Sequence, residues 1–571
     1  MGYLNIKGEQ ERTFDAIVIG SGISGGWAVK EFTGKGFKTL VLERGNDVQH
    51  LKDYPTTNMK PWEFEHRGQL TAEQVRDNPV ASKCYAFRED AAHFFVKDKD
   101  HPYVQDKPFD WIRGYQVGGK SLLWARQTQR WSEFDFEGPA RDGFATDWPI
   151  RYKDLDAWYG YVERFAGISG NKDGLAELPD GDFLPPMELN CVEQYFKSKV
   201  AEAYKDRHVI IGRAAHLTEP QPIHLEQGRA QCQNRNLCQR GCPFGGYFSS
   251  NASTIPWAKK TGNLTLRANS VVHSIIFDEN LQRASGVRVV DAVSKKMTEY
   301  FAPVIFVNAA AINTNLILLN SVSPRFPIGL GNDSGLLGKY LAFHNYRGRV
   351  SATYEGFQDF TTEGRRPNSG YIPRFRNVRR QETDFLRGYA AGFGANPSLQ
   401  PAEGWGENYK DQLLHAKPGL WQVGSHIMGE TIPKITNQLT LDTQKKDDWG
   451  VPLLHINIDY DDNDERMLKD YFEQITEMFT TAGFSNIETV DSKQAPGLDI
   501  HEMGGVRMGK DPRTSLLNEW NQLHHCKNVF VTDGACMTST STQNPSLTYM
   551  ALTARAVDYA VKQLKKNGKI T

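Results

Sequence analysis

Cysteine is scarce in this chain, with seven among 571 residues. So odd and sparse a set argues against a secreted fold stapled by disulfides. A charge excess of one sign is also missing. Charged residues are 24% of the chain and nearly cancel, leaving a formal net charge of −1. No electrostatic pull toward nucleic acid or anionic lipid is therefore expected. No apolar run is long enough to span a bilayer, so direct membrane insertion is not expected. The opening residues, Met-Gly-Tyr-Leu-Asn-Ile-Lys-Gly-Glu-Gln-Glu-Arg, contain no apolar core of a signal peptide. Internal repeats and low-complexity tracts are absent. The length leaves room for about two to four domains.

Against that scarcity, three cysteines cluster. Cys232, Cys238 and Cys242 fall in the run Cys-Gln-Asn-Arg-Asn-Leu-Cys-Gln-Arg-Gly-Cys-Pro, with Pro243 last. Iron–sulfur clusters are held by thiolates at short spacings, often with a proline after the final cysteine. Three thiolates suit a three-iron cluster, or a four-iron cluster with a fourth ligand from elsewhere. Zinc would want four ligands, usually in tighter cysteine pairs, and the nearest histidine in sequence is His224. A disulfide plus one free thiol, or three inert thiols, also fit the spacing. Cys84, Cys191, Cys526 and Cys536 read as buried thiols.

Near the start, Ala16–Ile19 reads as a short buried strand, followed by Gly20, Gly22 and Gly25. These glycines fit a tight turn that admits a pyrophosphate to a helix N-terminus. A helix is expected over about Ser24–Phe32. A second strand, Thr39–Leu42, then delivers Glu43, with Arg44 beside it. Strand, glycines, helix, strand and acid occur in the order a dinucleotide site requires. An acid rather than a base at the strand end argues against NADP.

The C-terminal region carries the candidate chemistry. His501 lies in a glycine-rich segment, and a short buried strand ends in Asp533-Gly534. That carboxylate could meet the ribityl chain of a flavin. Asn544-Pro545-Ser546 opens an apolar-periodic stretch, Leu547–Leu564, expected to be a helix with Asn544 as N-cap. Its positive end would favour an anionic flavin, and His501 could accept the proton of an alcohol near neutral pH.

These pieces in this order resemble the glucose–methanol–choline (GMC) family of FAD-dependent oxidoreductases. The likeness also takes in Arg113-Gly-Tyr-Gln-Val-Gly118-Gly119-Lys-Ser121-Leu-Leu-Trp124. The resemblance implies a Rossmann-like FAD-binding domain, α/β in class, with a discontinuous substrate domain of α+β type built on an antiparallel sheet. It implies His501 as base and Asn544 as the contact to the substrate hydroxyl, with Gly118, Gly119, Ser121 and Trp124 in the second flavin motif. Within the family, the cysteine spacing is similar to that of the catalytic subunits of bacterial FAD-dependent glucose dehydrogenases and glucoside 3-dehydrogenases, and the Gly-Gly-Lys-Ser-Leu-Leu-Trp run looks nearer to the second. That likeness implies a [3Fe-4S] cluster on Cys232, Cys238 and Cys242. It also implies a sugar or glycoside substrate, a small accessory subunit, and a cytochrome c or another electron acceptor. Such subunits reach the periplasm with a partner that carries the export signal; simple cytoplasmic residence fits as well. Two departures stand out. Pyranose oxidases attach FAD through a histidine where this chain has Leu123, so non-covalent FAD is expected. The glucose dehydrogenases have adjacent cysteines at the first ligand, whereas Cys232 is followed by Gln233.

The FAD-binding domain is expected to take 10–45, 105–130, 228–340 and 498–571. The substrate domain takes 46–104, 131–227 and 341–497. Gly348–Tyr354, Leu420–Met428, Gln438–Asp442 and Leu453–Asp459 read as one antiparallel sheet, and Phe357–Glu407 as a lid or insertion. Oxidation of a sugar hydroxyl, at C3 of a glucoside for preference, is the favoured reading. An oxygen-using sugar oxidase with structural cysteines is a second. A non-redox flavoprotein with a zinc-bound interaction segment is a third.

Overall fold

The computed structural model describes residues 9–11, 14–359 and 367–568. At its centre is a six-stranded sheet with strand order Gln522–Leu523, Cys526–Val531, Val304–Val307, Ala16–Ile19, Thr39–Leu42 and Leu264–Arg267. Every pairing but that of the Gln522–Leu523 edge is parallel. The inner strands are apolar on both faces and fully buried, as parallel strands covered on both sides must be. The helices Ile23–Gly34 and Ser546–Asn567 cover one face, joining Ala28, Val29, Phe32, Val557 and Ala560 to the strand side chains. A four-stranded sheet of Glu9–Glu11, Met297–Phe301, Arg283–Asp291 and Ser270–Asp278 adds its apolar residues to the other main core.

A second core lies under an antiparallel sheet, the order being Ser485–Asp491, Gly348–Tyr354, Trp421–Glu430, Tyr389–Asn396, Gly370–Ile372 and Ile210–Ile211, with His344–Asn345 paired to Trp421–Glu430. The helix Asp462–Thr481 packs on it through Met467, Leu468, Tyr471, Ile475 and Phe479. Asp461 caps that helix, accepting from the N–H groups of Asn463 and Asp464.

Two expectations are corrected. The four strands expected in one sheet divide between two. Gln438–Lys446 and Pro452–Asn457 do form a hairpin, but it belongs to a separate five-stranded sheet with Met503–Gly505, Lys339–Ala342 and Val104–Gln105. Alternation shows that a strand has one buried face; it does not say which sheet that face covers. Nor is 357–407 a lid as a whole. Tyr389–Asn396 is an inner strand of the antiparallel sheet. Its sequence, Tyr-Ala-Ala-Gly-Phe-Gly-Ala-Asn, reads as loop because glycine weakens strand propensity. Residues 360–366 of that segment lie outside the described residues. Among the described residues, no helix is long and apolar enough to cross a membrane.

Candidate active site

A cavity of ≈ 540 Å³ opens between the parallel sheet and the antiparallel sheet, within the size range of cofactor pockets. Gly20, Gly22, Glu43, Arg44, Gly119 and Trp124 line one part of it. His501, Asp533, Gly534, Asn544, Pro545 and Ser546 line another. Segments almost five hundred residues apart thus share one space. Gly25, Gly118 and Ser121 sit one layer behind.

The glycines of the first turn have separate tasks. Gly20 has a φ of +93°, and a Cβ there would lie 2.3 Å from the Asn308 carbonyl oxygen. A Cβ on Gly25 would lie 2.0 Å from the carbonyl oxygen of Gly20, so Gly25 lets the helix close on the turn. At Gly22 a Cβ would meet nothing within 4 Å. Gly22 is also the N-cap of the helix, with no side chain bonded to its first N–H groups. Backbone approach and an uncapped positive end are what a pyrophosphate needs.

Glu43 is buried, and burial pushes its carboxyl up while hydrogen bonds pull it back. Its oxygens accept from the Ser21 N–H at 3.1 Å, the Ser21 hydroxyl at 2.5 Å and the Gly45 N–H at 3.1 Å. Ser21 Oγ accepts in turn from the Gly118 N–H at 3.0 Å. Ser121 Oγ donates to the Gly118 carbonyl and accepts from Ser250 N–H. The two predicted flavin motifs are therefore tied together through Ser21. Arg44 lies between the rings of Tyr115 and Trp449 and pairs with Asp447 at 3.0 Å. Trp124 donates through Nε1 to the Phe248 carbonyl. Asp533 accepts from Thr314 Oγ1 at 2.5 Å and Ala535 N–H at 2.9 Å; burial raises its carboxyl to about 6.

His501 Nε2 stands 3.3 Å from Asn544 Nδ2, and its Nδ1 stands 2.9 Å from His344 Nδ1. Burial, then His344 and Lys120, hold His501 well below the ordinary imidazole value. Lys120 is itself paired with Glu502 at 3.1 Å. Asn544 is not the N-cap expected from sequence. The helix begins at Ser546 with Pro545 as N-cap and no capping side chain, because the Asn544 amide is turned toward His501. The helix end is left uncapped beside the cavity.

The antiparallel sheet supplies the opposite wall with Gly370, Gly392, His426 and Met428, and Tyr346 stands beside His426. Of the twelve tryptophans, Trp111 and Trp124 line the cavity. His344, Tyr346, His426, Lys120 and Glu502 were missed from the sequence. Lys120 sits inside the Gly119–Ser121 motif and Glu502 directly follows His501, so both are legible there; His344, Tyr346 and His426 become neighbours of the site only through the fold.

Models of the GMC oxidoreductase family match residues 104–345 and 433–553. The chain belongs to this family. A 2-methyl-1,2-propanediol dehydrogenase of Mycolicibacterium austroafricanum is 29% identical over 95% of this chain and 94% of its own. A fructose dehydrogenase large subunit of Gluconobacter japonicus is 24% identical over 97% of this chain and 98% of its own. A pyridoxine 4-oxidase structure from Mesorbium loti superposes with a TM-score of 0.59 at 16% identity, covering 96% of this chain and 99% of that one. The mixed α/β architecture with its antiparallel sheets is thus the GMC fold. As a GMC oxidoreductase the protein is a FAD-dependent enzyme of alcohol or sugar donors, and the Gly20–Gly25 turn, the Glu43 carboxylate and the two uncapped helix ends fit the cofactor.

In this GMC oxidoreductase all seven cysteines are free thiols, so the disulfide reading of the cluster fails. Burial raises the Cys232 thiol to about 11 and also raises that of Cys238; Cys238 and Cys242 add to the first shift and Cys242 to the second. Yet among the described residues the one His/Cys/Asp/Glu group with ligand atoms all within 4.8 Å is His344, Asp499 and His501. A tetrahedral zinc ion draws its sulfurs closer than that. His344, Asp499 and His501 form a hydrogen-bonded group, since both His344 nitrogens are already engaged. Asn236 and Gln239 of the cysteine segment line the flavin cavity. The histidine near the thiols is His216, with Nε2 3.8 Å from Cys238 Sγ. His224 instead bonds Gln221 N–H and the Arg164 carbonyl.

Proposed function

We propose that this GMC oxidoreductase is a dehydrogenase of a sugar or glycoside hydroxyl, with C3 of a glucoside as the first candidate position. The observation that carries the reading is the His501–Asn544 pair, which faces the same cavity as the glycine turn and Glu43. FAD, when bound, supplies the hydride acceptor. His501 Nε2 takes the hydroxyl proton, and Asn544 orients that hydroxyl through its amide. Burial of His501 keeps the imidazole neutral and its lone pair free at neutral pH. Tyr346 and His426 offer hydrogen-bonding groups to the remaining hydroxyls. Gly20, Gly22, Glu43, Arg44, Gly119, Trp124, Asp533, Gly534, Pro545 and Ser546 hold FAD directly; Gly25, Gly118 and Ser121 shape their backbone.

The proposed division keeps 10–45, 105–130, 228–340 and 498–571 for FAD, and 46–104, 131–227 and 341–497 for substrate. Cys232, Cys238 and Cys242 would hold a [3Fe-4S] cluster that takes electrons one at a time to a cytochrome c or another acceptor. Free thiols and a segment that reaches the cavity wall support this. A relative named as a large subunit supports a small accessory subunit, which would also carry any export signal to the periplasm.

The test is low-temperature EPR with iron and sulfide analysis on anaerobically purified protein, before and after adding glucose or a glucoside. A three-iron signal that disappears as sugar is added is expected. Bleaching of the flavin by sugar with no iron present, reversed by air, would overturn the dehydrogenase reading in favour of the oxidase. No bleaching by any sugar, with stoichiometric zinc, would overturn both.

A further inference from the structure

The hydrogen bonds around His501 fix where its proton sits. They begin at His344, which is fully enclosed. His344 Nε2 lies 3.0 Å from the Ser541 carbonyl oxygen and 3.3 Å from that of Thr540. A carbonyl only accepts, so the N–H of His344 is at Nε2. Burial holds His344 at about 4, so it is neutral at physiological pH and carries no second proton. Its Nδ1 is then a bare acceptor. His501 Nδ1, 2.9 Å away, can only be the donor of that bond. The lone pair of His501 is left on Nε2, where the Asn544 amide donates at 3.3 Å.

We propose that His344 is a positioning residue that holds His501 as its Nδ1–H tautomer, so that the basic nitrogen faces the cavity. This rests on the reading of His501 as the base. The arrangement serves both halves of the proton transfer. Before it, the bond to His344 excludes the tautomer with a proton already on Nε2. After it, the O–H bond of the alcohol has broken, its proton is on Nε2, and the imidazolium still donates Nδ1–H to His344. A wrongly set tautomer is known to be costly in histidine-based catalysis.

The surrounding fold is built to hold this geometry. Ser541 adopts a φ of +58°, a left-handed conformation uncommon for a residue with a side chain, and its carbonyl thereby meets His344. Ser541 Oγ donates to Asp135 at 2.8 Å, and Gln543 Nε2 donates to the same carboxylate at 3.1 Å. Asp135 is in turn paired with buried Arg374 at 2.6 Å. One short loop, 540–544, thus presents a carbonyl to His344 and an amide to His501. On the other side, Asp499 accepts from the His344 backbone N–H at 2.9 Å.

The test compares His344→Phe, which keeps a ring but no acceptor, with His344→Gln, whose amide offers one acceptor and one donor. In protein carrying 15N-labelled histidine, with or without flavin, NMR should report His501 protonated at Nδ1 in the parent and a shift toward Nε2–H in His344→Phe. The rate of flavin bleaching by sugar should fall by about 10²-fold or more in His344→Phe, toward the loss expected for removing a base. His344→Gln should recover part of both. Lys120, Glu502, Asp499 and Arg374 are the charged groups facing the pair, and all are unchanged in these variants. A parent enzyme with His501 protonated at Nε2 would overturn the proposal. So would His344→Phe that bleaches within about twofold of the parent while His501→Ala is inactive. If His501→Ala itself bleaches normally, the base assignment has failed rather than the hydrogen-bond geometry, which the NMR still reads. Should His344→Phe not fold, the parent spectrum and His344→Gln decide.

Discussion

The Ser21 hydroxyl donates to Glu43 Oε2 at 2.5 Å while accepting from the Gly118 N–H at 3.0 Å. The serine of the first glycine turn therefore aims the Glu43 carboxylate and docks the second flavin motif at once. Replacing Glu43 with Ala removes the aimed acceptor. A hydrogen bond to a charged group contributes about 1.5–3 kcal/mol, so flavin affinity should fall about 10- to 100-fold. Ser21→Ala should lose less, since the Ser21 N–H still reaches Glu43. Reconstitution of flavin-free protein, followed by fluorescence quenching, measures both. Flavin affinity unchanged in Glu43→Ala would remove Glu43 from the binding set.

Asp499 gives the chain a pH-dependent weakness. Burial raises its carboxyl to about 7, against 3.8 for a free one. Between these values the folded protein keeps a proton that the unfolded chain has released. The contribution is fully present below about 3.8, falls as pH rises, and is gone above about 7. The slope is on the order of 1 kcal/mol per pH unit at most. Asp499→Asn retains an oxygen for the His344 N–H but cannot ionise. Urea unfolding should therefore show Asp499→Asn gaining on the parent between pH 5 and pH 8. Parallel pH profiles would mean that Asp499 is not held protonated.

Much of this arrangement was legible in the chain. Gly20, Gly22, Gly25 and Glu43 were readable because a dinucleotide turn imposes residue types at fixed spacing within thirty residues. The strands Ala16–Ile19 and Thr39–Leu42 occur as expected, since continuous burial leaves an unbroken apolar run. Asn544 reads from the sequence as a helix cap, because capping is the commoner use of an asparagine before a helix, and His501 is too far away in sequence to signal the competing bond. His344 and His426 carry no local signature. Each is one histidine in a strand; the meaning of His344 comes from carbonyls on the distant loop 540–544 and that of His426 from a glycine on another strand. The pairing of Gln438–Lys446 with Lys339–Ala342 was equally invisible, because two-residue periodicity does not name a partner.

Leu123 is nearly buried and lines the flavin cavity, and a leucine offers no nucleophile to a flavin methyl group. Acid precipitation should leave all the flavin in the supernatant, and the denatured chain should show no flavin fluorescence on a gel. Fluorescence retained on the chain would require another attachment residue.

The cysteine segment makes a separable prediction. On the proposed cluster reading, replacing Cys238 with Ser should abolish the iron signal and turnover with cytochrome c. Bleaching of the flavin by sugar should remain within a few-fold of the parent, because the segment reaches the cavity through Asn236 and Gln239 rather than through its thiols. Iron content with single-turnover bleaching measures the two halves separately. Full iron content in Cys238→Ser would remove that thiol from the ligand set.

Gly392 and His426 face each other across neighbouring strands, and a Cβ on Gly392 would lie 2.0 Å from the His426 ring. The ring lies over the glycine and toward the cavity, where burial holds it neutral, at about 4. A neutral imidazole can both donate and accept, which suits a sugar hydroxyl. Gly392→Ala should push the ring aside and lose its hydroxyl contact, about 0.5–1.5 kcal/mol, read mainly as a KM raised about 2- to 12-fold with flavin content unchanged. His426→Ala should raise KM through loss of the hydroxyl contact. The double variant should then be no worse than His426→Ala, because the added methyl has nothing left to displace. Contacting residues couple in this way and distant ones do not. Additive losses in KM would show that Gly392 serves the sheet alone and that His426 does not owe its position to the missing side chain.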